Sequence, residues 1–578
     1  MKVTGMAVAL LIGISLIGVM TNQARAQGTV HVNSFGAIPG DGLDDAVAIQ
    51  NTLNYAKANT IKSVLFDTGR YDLLVIANGS LNAHFGLTQY HGLSLLGAIL
   101  PDGTPATWLV KFNPQQNNTV LPAHLRFDRC NQLTIKNLAI DNSPQYATAG
   151  KVVDKGTNYI TVEIFGGLPT KDSMGVYCAN RWDLSTRLLK QVPSLSFITD
   201  VAAEDLYCQK QVINGKNYMR VNSTRFAQAV DTGEGLSWHF GAQTMFQLAL
   251  NFCNDLVLEN ILTINIAGWG IHTVACKNIT AKRISFRPNG PQLAVGPRDA
   301  WKINMSDGQV VVDSLYVEGV RWDGQNAHGA FFTVAQKISA TQIRVWKKFV
   351  TIPGFINDSI GFWNGSAVEK RFAQSWQSQG VSGDTVYGLI NTSTALPAFV
   401  NTGTRITVYA WDMDQYTLKN SIFKKIAGCA GVIKNENVFL QNVTYDNIMY
   451  PAILFGTEIN EASFPQNVLV SNCRFNASGW VNRIGATGLV GIRNAVTPAM
   501  TMGRIQFDSC TFSNAPIGVD AAGLKELVLT NNHFLCVDQP YKINTANTGP
   551  VTFTDNTVTC GASARITYTV KKKVATQP

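Results

Sequence analysis

The chain has 578 residues, long enough for a large core, yet only 15% of them are charged, with 47 Lys and Arg against 38 Asp and Glu for a formal charge of +9. Sparse charge, plentiful Gly, Asn and Thr, and Val, Ile and Phe in short runs favour strands and tight turns over long helices. The one basic run, Lys571-Lys572-Lys573, reads as a solvated tail, which argues against a nucleic-acid partner.

Met1 to Ala26 has a lysine near its start, an apolar core from Ala7 to Met20 and the small-x-small sequence Ala24-Arg25-Ala26. This reads as a secretory signal cleaved before Gln27. No later stretch approaches about twenty uninterrupted apolar residues, so the mature chain is expected to be soluble and secreted or periplasmic, without a membrane span. Residues 27–149 begin with Val32 to Ala37 and Gly40-Asp41-Gly42-Leu43-Asp44-Asp45, followed by a helical pattern through Ile49, Leu53 and Tyr55. Asp44 or Asp45 is expected to cap a helix that closes the open end of a sheet stack.

From Asn131 onward one phrase returns nine times: an alternating strand, a polar Asn, Asp or Ser turn, then another apolar residue. It occurs at 133–140, 256–261, 279–284, 310–315, 438–443, 468–473, 505–510, 527–532 and 551–556. The closest recurrences are about 22 to 24 residues apart, the period of a solenoid whose longer gaps hold insertions. Alternation buries one side of each strand, and the polar turn residues can bond the rung above or below. The pattern predicts an all-β fold, a right-handed parallel β-helix. Two segments, 150–226 and 332–411, alternate without the Asn turn and read as small antiparallel β-domains inserted between rungs. Residues 227–331 are then the central rungs, 412–565 the C-terminal rungs and 566–578 the basic tail.

Ten cysteines show neither CxxC pairs nor metal-ligand spacing, so no metal or cofactor is expected. Several share one place in the repeat and read as buried thiols. Cys178 and Cys208, inside the first insertion, are the candidate disulfide.

The chemistry concentrates between Arg298 and Phe331, in Arg298-Asp299-Ala300-Trp301-Lys302 and Trp322-Asp323-Gly324-Gln325-Asn326-Ala327-His328-Gly329. Asp299 and Asp323 are one period apart, which puts them on neighbouring rungs about 4.8 Å apart. Glycosidic hydrolysis needs one acid to protonate the leaving oxygen and one carboxylate to act as base or nucleophile, and this spacing permits either stereochemistry. On a regular strand Lys302 would face away from Asp299. Asn326 and His328 reach sugar hydroxyls if the chain turns at Gly324 and Gly329. Trp269, Trp301 and Trp322 are candidates to stack on a pyranose.

The opening Phe-Gly-Ala, Gly-Asp-Gly and Asp-Asp run, followed by Gly69-Arg70-Tyr71, resembles the signature of pectin-lyase-like β-helix proteins. Ala267-Gly268-Trp269-Gly270-Ile271, Arg298-Asp299-Ala300, the strand from Val310 to Val317 and Asn326-Ala327-His328-Gly329 resemble glycoside hydrolase family 110, inverting exo-acting α-1,3-galactosidases with two inserted β-domains. Where that family has an aspartate pair, this chain has Trp322-Asp323. The resemblance implies an oligosaccharide or polysaccharide substrate and inversion, with Asp323 as base and Asp299 as acid, or the reverse. Two other readings stay open: a polysaccharide lyase using Lys302 and Arg321, and a carbohydrate-binding homologue in which Trp322 replaces catalysis with stacking.

Overall fold

In a strand every second side chain points the same way, so the repeated phrase must turn its apolar residues to a common interior. The computed structural model describes residues 28–112, 122–195, 207–240, 245–456, 458–496 and 499–560. It stacks all nine phrases in one parallel column. A single inward position runs in register through Ile135, Leu258, Ala281, Val312, Leu418, Leu440, Val470, Phe507, Leu529 and Phe553. Leu418 belongs to a tenth phrase, in the strand Gln415–Ile426 directly after the second insertion.

The turn asparagines do two things. Asn137, Asn260, Asn420 and Asn442 have φ of 61, 56, 53 and 54°, a left-handed conformation that asparagine tolerates better than most residues. Their side chains also join the rungs. Asn260 Nδ2 donates to Asn137 Oδ1 at 2.9 Å, Asn442 Nδ2 to Asn420 Oδ1 at 2.9 Å, and Asn420 Nδ2 to Asp313 Oδ1 at 3.0 Å.

A second parallel column carries the site. It passes through Ala83–Thr88, Ala123–Asp128, Phe246–Asn251, Trp269–Val274, Trp301–Asn304, Gln325–Lys337, Gly431–Ile433, Ile453–Phe455 and Val490–Ile492. In the C-terminal rungs the interior holds an aromatic stack. Tyr445 and Phe475, Phe475 and Phe512, and Phe512 and Phe534 lie 4.9, 5.0 and 4.8 Å apart with nearly parallel rings. At the other end the helix Ala46–Ala58 buries Ile49 and Leu53 against the same core. Its first-turn Val47 N–H donates to Asp44 at 3.3 Å, while Asp45 accepts from Ile38 N and Asp72 N, tying the helix to the loops around it.

Two stretches pair antiparallel instead. Strands between Ala147 and His239 form an eight-stranded sheet, and those from Phe331 to Val408 form another, each with its own apolar cluster. The expected Cys178–Cys208 bridge does not form: Cys208 is a buried free thiol, and its neighbours across the sheet are Met174 and Val221. The repeat cysteines instead spend their thiols on backbone. Cys253, Cys276 and Cys510 donate to the carbonyls of Phe127, Leu250 and Val470 at 3.4, 3.3 and 3.4 Å. The segments expected to be a signal and a basic tail fall outside the described residues. Among those described, no helix is long and apolar enough to cross a membrane.

Phe512 is central to the aromatic stack, with a ring partner on each side. Phe512→Ala is expected to cost about 3–5 kcal/mol, read as a lowered urea midpoint for the C-terminal rungs.

Candidate active site

The site forms at the corner where the chain enters the second column. Gly270 N donates to Asp299 O at 3.1 Å, Ala300 N to Asp323 O at 2.9 Å, and Gly324 N to Cys429 O at 2.8 Å. Asp299 and Asp323 therefore occupy adjacent rungs. The rungs close up only because glycines stand beside them: a Cβ at Gly270 would lie 2.4 Å from Ala300 O, and one at Gly324 2.5 Å from Ala430 O.

Asp299 precedes its strand rather than lying within it, so the regular-strand argument against Lys302 does not apply. Lys302 Nζ lies 3.7 Å from Glu461 and acts on the Asp299 carboxyl. Along the column Lys302 pairs with Asn326 and Asn304 with His328. These side chains share the outward face with the acids' corner. Asn326 Oδ1 accepts from Lys434 Nζ at 3.3 Å, and His328 Nε2 is 3.4 Å from Glu461.

The two aspartates differ in what holds them. Asp323 is 0% exposed and accepts from Cys429 N at 3.2 Å, from Arg483 Nη1 at 2.5 Å and from Arg483 Nη2 at 3.3 Å. Burial pushes its carboxyl up and Arg483 pulls it only part of the way back, so it stays raised, with its charge paired directly. A permanently charged guanidinium on both oxygens leaves Asp323 the ionised member of the pair. Asp299 is 2% exposed, and its Oδ1 has no hydrogen-bond partner among the described residues. Burial, then the charge of Asp323, pushes it up to about 7, against Lys302 and Arg298.

A second charged group sits beside this pair. Burial would raise the Glu461 carboxyl, but His328, Lys434 and Lys302 hold it well below its usual range, with Lys434 bonded directly to it. Burial lowers His328 to about 3, so the imidazole is neutral and the two ammonium groups carry that effect.

Each of the three tryptophans is placed differently. Trp269 is half-buried with the Arg298 guanidinium 4.4 Å over its ring, and Trp322 is half-buried with Arg483 at 4.6 Å. Trp301 is not a stacking platform. It is 0% exposed in the interior, its Nε1 donating to Thr273 Oγ1 at 3.3 Å, because it alternates with the outward Lys302. Sequence reasoning missed Lys434, Glu458, Glu461 and Arg483, all more than a hundred residues beyond Asp323. The signal for the last three is rung length: Asn437 pairs with Asn467 and Asn467 with Arg504, whereas Tyr416 pairs with Val438. The excess residues of the two long rungs carry Glu458, Glu461 and Arg483.

Fold and site together define a parallel β-helix with two buried carboxylates on adjacent rungs. Comparison with known proteins bears out the resemblance read from the central motifs. The chain is 23% identical over 356 residues to α-1,3-galactosidase A of Shewanella woodyi, covering 55% of this chain and 54% of the relative. It is 19% identical over 353 residues to α-1,3-galactosidase B of Bacteroides thetaiotaomicron, covering 57% and 55%. The chain thus spans about half the length of the curated relatives it matches. No family model matches it. Among solved structures it is similar to the catalytic domain of a GH87 α-1,3-glucanase in complex with nigerose, with a TM-score of 0.42 and 10% identity, covering 92% of this chain and 69% of that one. It is also similar to the mannuronan C-5 epimerase AlgE6 A-module of Azotobacter vinelandii, with a TM-score of 0.41 and 10% identity, covering 91% and 99%.

The burial of Asp299 has a stability signature. Its folded value of about 7 lies above the ordinary 3.8, so between about pH 4 and 7 the unfolded chain gives up this proton while the folded one keeps it, and stability falls progressively. Asp299→Asn removes that cost. The melting temperature of the variant relative to the parent is expected to rise across this window and level off above it, a gain of no more than about 4 kcal/mol at about 1.4 kcal/mol per pH unit.

Proposed function

We propose that the chain is a glycoside hydrolase that removes terminal α-linked galactose, in α-1,3 linkage, by an exo-acting and inverting mechanism. The observation that carries this is Asp299, a buried carboxyl pushed up to about 7 with one oxygen uncommitted, stacked one rung from an ionised Asp323. That is the division of labour a general acid and a general base require.

Asp299 gives its proton to the glycosidic oxygen as the bond from that oxygen to the anomeric carbon breaks. A water attacks that carbon from the opposite face and loses its proton to Asp323. Solvent exchange then restores both groups. Lys302, Asn326 and His328 line the adjoining face for sugar hydroxyls, and Trp322 and Trp269 offer ring faces. Both acids are buried, so a pyranose reaches them only when the covering side chains move.

The antiparallel sheets serve as the two insertions expected at 150–226 and 332–411, the first running on through the strand Gly235–His239, and wall this corner. Support for the second comes from Phe349, whose ring is 5.7 Å from Lys302 Nζ and 6.4 Å from the His328 ring. The leader-like sequence of residues 1–26 supports an enzyme that acts outside the cytoplasm, on oligosaccharide or polysaccharide ends, and is built on a right-handed helix.

Purified protein offered an α-1,3-galactosyl oligosaccharide is expected to release galactose, seen first as the β-anomer by NMR. Asp299→Asn and Asp323→Asn should each lose about 10²–10⁴-fold, and parent activity should fall above about pH 7 as Asp299 ionises. An unsaturated uronide product would instead establish a lyase. Retention of glycan without release would establish a binding protein.

A further inference from the structure

Arg483 reaches the site from a loop pinched by paired backbone bonds between Arg483 and Ala486, at 3.0 and 2.9 Å. It is 8% exposed. Its Nη1 and Nη2 donate to the two oxygens of Asp323 at 2.5 and 3.3 Å, Nη2 also donates to Glu458 at 2.8 Å, and its guanidinium lies over Trp322. A guanidinium stays charged at any pH a folded protein meets, and a two-pronged contact fixes the plane of a carboxylate as well as its charge. The longer bond leaves Asp323 Oδ2 a lone pair for water. Among the described residues Asp299 has no such clamp.

We propose that Arg483 is the positioning residue that assigns the roles of the two buried carboxylates, holding Asp323 as the oriented, ionised base and leaving the proton to Asp299. This rests on the hydrolytic reading of the pair. The groups facing Asp323 are Arg483, Glu458 and Asp299, with the Cys429 thiol and Tyr450 hydroxyl packed beside them, both pushed up by burial and uncharged. Facing Asp299 are Asp323, Lys302, Arg298 and Glu461. Without the guanidinium, two buried carboxylates one rung apart compete for one proton, and the base is partly protonated where it should be free.

The test is kcat/KM against pH for the full chain, Arg483→Gln, which keeps a shorter amide donor without the charge, and Arg483→Lys. Arg483→Gln should move the acid limb up by at least one pH unit, about a tenfold loss at the acid end. Arg483→Lys should return the limb toward the parent position. An equal fractional loss at every pH, with the limb unmoved, overturns the proposal. A second readout needs no turnover: the infrared stretch of a protonated carboxyl at pH 6, assigned by subtracting the matching Asp323→Asn variant. The Asp323 band should be present in Arg483→Gln and absent from the parent, whose protonated carboxyl at pH 6 is Asp299, and identical Asp323 bands overturn the proposal. A parent that hydrolyses no glycoside defeats the hydrolytic reading, while the infrared comparison still judges Arg483.

Discussion

Parallel register, kept from rung to rung, is the constraint on which the rest depends. Because Lys302 stands over Asn326 and Asn304 over His328, residues 24 positions apart in the chain become neighbours at the strand spacing. The interior supplies the force. Each rung adds a few inward Val, Ile, Leu or Phe side chains to a continuous apolar column, and no rung can bury its face without the next. The corner can then carry charge that a small core could not hold.

That charge is arranged rather than merely tolerated. Burying ions costs more than their mutual attraction returns unless each finds good partners. Here Asp323 has Arg483, and Glu461 has Lys434 and Lys302. Asp299 is the exception, with Lys302 and Arg298 nearby but no direct partner for Oδ1 among the described residues. An acid left out of an otherwise paired network is the one that holds a proton near neutrality. Its raised carboxyl follows from which neighbours are already committed.

The solenoid was legible because its period is written in residues that must recur: inward apolar positions and turn asparagines that both bend left-handed and bond the next rung. Asp299, Asp323, Asn326 and His328 were legible for the same reason, being packed into two short motifs one period apart. The inward turn of Trp301 was available from parity with Lys302 and is plain once Lys302 points outward. Glu461, Lys434 and Arg483 were not legible. They come from rungs far along the chain, and unusual rung length says that a loop leaves the stack without saying where its side chains return. The Cys178–Cys208 pairing failed because two thiols in one inserted sheet need facing registers, and Cys208 faces Met174 and Val221.

Trp322 fits this electrostatic picture. In the family whose motifs this corner resembles, an acid precedes the aspartate that Asp323 matches. A second acid at 322 would give Arg483 a third carboxylate to serve, beside Asp323 and Glu458. With tryptophan there, the guanidinium lies on an indole face instead, an attraction that survives burial without adding a charge. Arg483 is then committed to Asp323 on one edge and Glu458 on the other, with its plane fixed by the ring beneath. Replacing an acid with an aromatic removes one candidate proton carrier and stiffens the hold on the one that remains. The departure from the family pattern and the arginine clamp are therefore two sides of one arrangement.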